Sequence, residues 1–416
     1  MSEQKTSADD LKLRIERHIE AIAAFTSTPG QGTTRLTYSE QDRQARTYIK
    51  QVMTEYGLEV REDGFGNIFG KQEGTIEGAP SVLIGSHFDS VPSGGSYDGP
   101  AGVIAGLEVA RLFRENGLTP KYPLEAIAMI EEEGGRFIGG LLGSRAMLGA
   151  ISREEFANTK DKDGITTLEA MQAIGLDPEL PGKRDAQSIK AFLELHIEQG
   201  PILEEEGLPI GIVEAIVGLT QIQITVRGSA GHAGTMPMER RADALVAAAK
   251  IVARLPELAR EQGGGTVATI GRLNVFPNGA NVIPDRVVFT ADLRAGREED
   301  VLGMLEKAEA LARSAAGSGI EVDIERQLYI RPKRMSGKVR ELLEKGSESL
   351  GVPYRALNSG AGHDAMIFSD YTDVGMLFVP SRGGLSHCPE EWSDAADIAR
   401  AVGILYEAAK ALTEAD

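Results

Sequence analysis

SVLIGSH (81–87) followed by GPAGVIAGLEVARLFREN (99–116) decides the fold. A short apolar run bounded by turn residues reads as a buried strand, and the second stretch has helical spacing. The same alternation recurs in PLEAIAMI (123–130) and AFLELHI (191–197), both patterned as buried strands. Apolar strands alternating with helices predict βαβ units and a mostly parallel sheet. Upstream, Ser39 is placed to N-cap a helix through EQDRQARTYIKQVMTEYG, where Ala45, Ile49, Val52, Met53 and Tyr56 recur on one face. A further helical stretch is expected around residues 10–25.

From about residue 215 the pattern changes. TQIQITVRG (220–228) and RVVFTADLR (286–294) alternate apolar and polar residues, the mark of half-buried, antiparallel strands. A helix, ADALVAAAKIVARL (242–255), lies between them. This segment ends near PKRMS (332–336) and reads as an inserted second domain. Beyond it come a helix (337–350), the apolar stretch GMLFVP (375–380) and a last helix from Ser393 to about Thr413, with Ser393 and Asp394 as its capping signal. The expected fold class is α/β. Residues 1–217 and 333–416 form a mostly parallel-sheet domain, and 218–332 a smaller α+β domain.

Composition excludes several classes. A formal charge of −18 disfavours nucleic acid and anionic membrane surfaces, which reward basic patches. No apolar run approaches the roughly 20 residues that span a bilayer, and the first ten residues contain no apolar leader segment. A single cysteine, Cys388, fits a reducing compartment, and cytoplasm is the expected location.

Five of the six histidines lie beside glycines or carboxylates: His87, His196, His232, His363 and His387. Imidazole and carboxylate together are the usual ligand set of a catalytic transition metal, which points to a metal-dependent hydrolase. In parallel sheets functional groups collect beyond the C-terminal strand ends, and His87, Glu132, Glu133 and His196 all fall there. Asp89, two residues from His87 in an extended chain, is placed to buttress it. Asp98 follows in a glycine-rich turn. The run EEEGG (131–135) sets three carboxylates together, which repel unless cations or solvent compensate. One could face a metal while its neighbour acts as general base. Each motif also has a plainer reading: a satisfied core histidine, a solvated acidic turn, or a surface ion pair for Arg294. Cys388 beside His387 suggests either a thiol–imidazole pair or a small filler.

In order along the chain, GSHFDSVPSGGSYDGPAGV, EEGGRF, ELHIEQGPILE, GHAGTMPM, NVIPDRV with DLR, SGAGHDAM and LSHCPEEW resemble the dinuclear-metal peptidase/amidohydrolase family. The branch resembled contains N-carbamoyl-L-amino-acid amidohydrolases, β-ureidopropionases and allantoate amidohydrolases. The likeness runs from TRLTYS (34–39) to the last helix. It implies a zinc-exopeptidase-like catalytic domain with an inserted lid and dimerisation domain, and two divalent ions per subunit (zinc, manganese, cobalt or nickel). His87, Asp98 and His196 would hold one ion, and Asp98, Glu133 and His387 the other. Glu132 would be general base and acid, acting on a water at the metal pair. His232 would act across a homodimer on the partner's active site, and Gln199, Asn281, Arg294, Gly362 and His363 would contact substrate. A histidine at 196, where peptidase branches carry a carboxylate, favours the ureido-acid branch. The implied reaction is removal of the carbamoyl group from a small ureido acid. Allantoate hydrolysis is the alternative, with an aminoacylase, dipeptidase or non-catalytic binder behind it. Met236 departs from the threonine common in relatives.

Overall fold

The runs read as buried strands are buried along their whole length. Ser81–His87 and Leu124–Met129 expose no residue, and Ile189–Ile197 is covered except at Lys190. The structure is a computed structural model describing residues 7–137, 139–176 and 183–415; the first six residues of the polar lead lie outside it. Two compact units divide the chain. The first comprises Met1–Glu214, Met335–Leu357 and His363–Asp416, and the second Ala215–Arg334 with Asn358–Gly362.

In chain order the strands begin with β1 (Glu59–Glu62), β2 (Ile68–Gln72), β3 (Ser81–His87), β4 (Leu124–Met129), β5 (Ile189–Ile197) and β6 (Ile210–Ile216). Then come β7 (Gly218–Arg227), β8 (Gly231–His232), β9 (Val267–Phe276), β10 (Val282–Ile283), β11 (Arg286–Ala295), β12 (Glu321–Ile330) and β13 (Lys333–Arg334). β14 (Tyr354–Ser359) and β15 (Asp373–Val379) close the series.

A nine-stranded sheet runs β1-β2-β4-β3-β5-β15-β6-β13, with β14 also paired to β6. Its central four strands, β4, β3, β5 and β15, are parallel. Antiparallel β2 and β6 flank them. Strands buried on both faces carry continuous apolar sequence, which is why β3, β4 and β5 read as buried strands and β15 as an apolar stretch. Helices Pro100–Glu115 and Ala395–Glu414 pack on this sheet, and Glu40–Glu55 packs on β1 and β2. Pro100 opens its helix, where a missing N–H costs nothing. Ser39 caps Glu40–Glu55 by accepting from the Asp42 N–H. At the last helix Asp394 alone supplies the cap, because the Ser393 hydroxyl donates instead to the Pro380 carbonyl, 2.7 Å away.

The second unit is built on an antiparallel sheet of order β12-β7-β11-β9. Helices Ala244–Gln262 and Glu298–Ser314 cover one face. Ile222, Ile224, Val226, Val287, Phe289 and Leu293 point into that core. The alternation places Gln221, Thr290, Asp292 and Arg294 on the opposite face. Among the described residues no helix is long and apolar enough to cross a membrane.

Candidate metal centre

His87 ends β3 and His196 lies one residue from the end of β5. Because the two strands are parallel neighbours, both rings arrive at the same sheet edge. Asp98 reaches them from the loop after β3. Gly99 follows at φ +80°, where an added Cβ would lie 2.4 Å from the His87 ring, so only glycine lets the loop pass this close. Asp98 Oδ1 stands 3.4 Å from His87 Nε2 and 3.2 Å from His196 Nε2, and the two Nε2 atoms are 3.4 Å apart. All three side chains are at least 95% buried.

The donor chemistry of this trio fits a cation. His196 Nδ1 lies 3.0 Å from the Ile197 carbonyl, an acceptor that assigns its proton to Nδ1. Its Nε2 lone pair then faces a carboxylate oxygen and a second imidazole nitrogen. Converging lone pairs in a buried site need a positive charge among them, either protons or a metal ion. Without metal, protons serve. Burial opposes the charge on His87, yet Glu132, Asp89 and Asp98 raise its pKa well above the ordinary value. Burial likewise disfavours ionised Asp98, but His196, His387 and His87 overcome it and hold the carboxyl well below the usual range.

A second trio uses the other Asp98 oxygen. His387 Nε2 lies 3.4 Å from Asp98 Oδ2 and 3.2 Å from Glu133 Oε2. The His387 side chain is 47% exposed and its backbone is left-handed at φ +58°. Hydrogen bonds to Asp98 and Glu133 push its pKa up to about 10. The Gln199 amide donates to Asp98 Oδ2 at 2.7 Å, and Ser386 Oγ lies 2.9 Å from the same oxygen.

The three adjacent carboxylates are sorted by the backbone. Glu131, at φ +49°, turns inward and accepts from the N–H groups of Arg136 (3.0 Å) and Phe137 (2.6 Å). Burial, with Asp89 nearby, pushes its carboxyl up to about 7. The Glu132 and Glu133 N–H groups donate to the two oxygens of Asp89, at 3.1 and 3.2 Å. Asp89 Oδ1 also stands 3.5 Å from His87 Nδ1, so one carboxylate fixes the strand end and the acidic turn together. Glu132 Oε2 is 3.8 Å from His87 Nε2. Burial raises the Glu132 pKa well above the carboxylate range; His87 opposes this, and Asp364, Glu133 and Asp89 add to it.

The chain as a whole resembles known proteins. The model of peptidase family M20/M25/M40 matches residues 83–411. The chain belongs to that family. It is 42% identical over 415 residues to an N-carbamoyl-L-amino-acid amidohydrolase of Paenarthrobacter aurescens, covering 99% of this chain and 100% of that protein. An allantoate amidohydrolase of Bacillus subtilis is 35% identical, with 95% of each chain covered. A crystal structure of an amidase of the hydantoinase/carbamoylase family from Burkholderia multivorans superposes with a TM-score of 0.90 at 34% identity, covering 97% and 98% of the two chains. Within the M20 family the chain thus falls in the amidohydrolase branch and is a hydrolase of C–N bonds. The family is metal-dependent, and two groups here, His87–Asp98–His196 and Asp98–Glu133–His387, could hold ions.

The remaining expected residues are spread over both units. His363 is buried against His196, ring centroids 4.4 Å apart, and burial keeps it neutral with a pKa well below the ordinary value. Gly362 precedes it in the loop after β14. Gln199, expected to contact substrate, donates to Asp98 and sits 3.4 Å from His387 Nε2. In the second unit the Gly234 N–H donates to His232 Nδ1 at 3.1 Å, which assigns the ring proton to Nε2. The Asn281 carbonyl accepts from Ala233, tying the β8 and β10 segments together. Arg294 Nε pairs with Asp292 at 2.7 Å and its Nη1 donates to the Gly360 carbonyl at 3.0 Å. Glu198, flanking His196 in sequence, instead caps the Ile202–Glu206 turn through the N–H groups of Ile202 and Leu203.

Two buried carboxylates lie in motifs singled out from the sequence but were given no role there. Glu194 accepts from Ser86 (2.7 Å) and the Ala365 N–H (2.9 Å), joining β3, β5 and the segment after His363. Glu391 accepts from both the Asp98 loop and the His387 loop. Alternation along Ile189–Ile197 puts Glu194 on the His196 face, a signal that was available. Glu391 lies within the quoted motif LSHCPEEW, but nothing local told it from Glu390 or gave it a role.

Proposed function

We propose that the enzyme hydrolyses N-carbamoyl-L-amino acids to the amino acid, ammonia and carbon dioxide. The observation that carries this reading is the division of Asp98: one carboxylate gives an oxygen to each of two ligand trios. His87, Asp98 and His196 would hold one divalent ion and Asp98, Glu133 and His387 the second, with zinc, manganese, cobalt or nickel all suited to this donor set. When bound, such a pair supplies an acidified water and polarises the carbamoyl carbonyl.

The protein's own groups do the rest. Glu132 takes the proton from the attacking water and returns it to the departing nitrogen. The burial that raises its pKa suits it to hold the proton between those steps. His232 carries its proton on Nε2 and can donate to the developing oxyanion, a contribution of about 3 kcal/mol for one well-placed donor. Arg294 and Asn281 are the proposed anchors of the substrate carboxylate, and Gln199, Gly362 and His363 its other contacts. Arg294 would exchange its Asp292 partner for the substrate. We further propose that 218–332 acts as a lid and dimerisation domain and that His232 serves the partner's site in a homodimer.

The test is ammonia release from N-carbamoyl-methionine, N-carbamoyl-β-alanine and allantoate, each with several divalent ions. Turnover of N-carbamoyl-methionine alone supports the reading. Preferred turnover of allantoate would replace it with the second reading, which the 35% identity to an allantoate amidohydrolase keeps in play.

A further inference from the structure

Glu391 lies four residues beyond His387 and is 5% exposed. Its Oε1 accepts from the backbone N–H groups of Tyr97 (2.9 Å) and Asp98 (3.0 Å). Its Oε2 accepts from the His387 N–H (3.2 Å), with Ser386 Oγ at 3.1 Å. The first pair belongs to the loop after β3 and the second to the loop after β15. The three N–H partners can only donate, and they are divided between the two oxygens, so both oxygens must accept, which a carboxylate does and an amide does not. Gly95 completes the fit: a Cβ there would lie 1.9 Å from Glu391 Oε1. The glycine is required because the carboxylate fills the space its side chain would occupy.

His87 and His196 are each held by strand pairing, His87 to Met129 of β4 and His196 to Phe378 of β15, beyond the last direct β3–β5 pair at Ile84 and Leu193. His387 has no such support. It sits in a loop, half exposed, with left-handed backbone. Its distance from Asp98 is set by whatever joins the two loops, and Glu391 joins them directly through the amides of both residues.

Resting on the ligand assignment proposed above, we infer that Glu391 is a positioning residue for the Asp98–Glu133–His387 trio alone. It fixes the His387-to-Asp98 spacing and so governs the affinity of one ion of the two. Groups that orient metal ligands are typically worth about 10- to 100-fold in affinity. Its loss should therefore empty one site and spare the other.

The experiment measures bound metal after dialysis against graded chelator, by elemental analysis and calorimetry, for wild type, Glu391→Gln, Gly95→Ala and His387→Ala. Melting of the metal-free proteins is recorded in parallel. Glu391→Gln keeps the volume but turns an NH2 group toward the backbone N–H of one loop or the other. Gly95→Ala keeps the carboxylate but displaces it. Both should bind one ion at wild-type affinity and the other about 10- to 100-fold more weakly, with metal-free melting close to wild type. His387→Ala should lose the same ion outright. If His387→Ala retains both ions, the ligand assignment itself fails. If His387→Ala loses one ion while Glu391→Gln and Gly95→Ala keep both at wild-type affinity, the positioning role is overturned. Equal weakening of both ions, or a matching fall in metal-free melting, also overturns it in favour of general structural support.

Discussion

The two proposed ligand trios share Asp98 and are otherwise built by different means. His87 and His196 stand on adjacent parallel strands, each about 1% exposed, and each is fixed by pairing to a further strand, His87 to Met129 of β4 and His196 to Phe378 of β15. Glu133 and His387 stand on loops, and carboxylates bonded to backbone amides hold those loops in place: Asp89 for the acidic turn, Glu391 for His387. A strand-borne site inherits its geometry from the core. A loop-borne site must be pinned by dedicated side chains, and each pin is a separate point of failure.

Asp98→Asn attacks the element common to both trios and should have the largest effect. Both ions are lost on metal analysis, and turnover falls further than the roughly 10⁴-fold that loss of a general base explains. Glu132→Gln should lower kcat by about 10²- to 10⁴-fold while both ions remain bound, separating proton transfer from metal binding. A variant that keeps near wild-type turnover would remove Glu132 from the mechanism.

Proton competition sharpens the contrast. The raised pKa of His387, about 10, means that it holds a proton at neutral pH in the metal-free protein and must release it to bind an ion. Affinity of the loop-held site should rise by up to about tenfold per pH unit toward pH 10, with proton uptake by buffer visible in calorimetry. The sign for folding is opposite. A histidine whose pKa is raised from 6.5 stabilises the metal-free fold fully below pH 6.5, and that contribution disappears as pH climbs through about 10. Half-exposure of the ring keeps it small.

Two substitutions outside both trios serve as controls. Arg294→Lys removes a planar fork from the second unit and should raise KM roughly tenfold without altering either ion's affinity. Ser39→Ala deletes a helix cap remote from the centre and should cost about 1 kcal/mol by denaturant melting. Its effect on the two ion affinities should be indistinguishable.

Residues whose setting is local were readable from the chain alone. The four central strands are mostly apolar because both faces are covered, and His87 and His196 stand at or next to the strand ends. Edge strands were not readable. β12, EVDIERQLYI, carries alternating charge and mostly exposed side chains, and its pairing with β7 is a tertiary fact. β1, four residues of alternating exposure, was missed likewise. In the acidic run, residue types alone could not tell which carboxylate faces the centre, and only the family resemblance assigned roles to Glu132 and Glu133. The left-handed backbone of Glu131 decides it by turning that side chain into its own loop. Glu391 was hidden because its meaning depends on residues 95–98, nearly 300 positions away.

Sharing Asp98 has a consequence for loading. If each Asp98 oxygen holds a cation, as proposed above, the first to settle spends part of the carboxylate's charge and sets a like charge close by, so the second would enter against electrostatic repulsion. By reciprocity either ion would weaken the other equally, and the free concentration of divalent metal would set what fraction of the protein is half-filled.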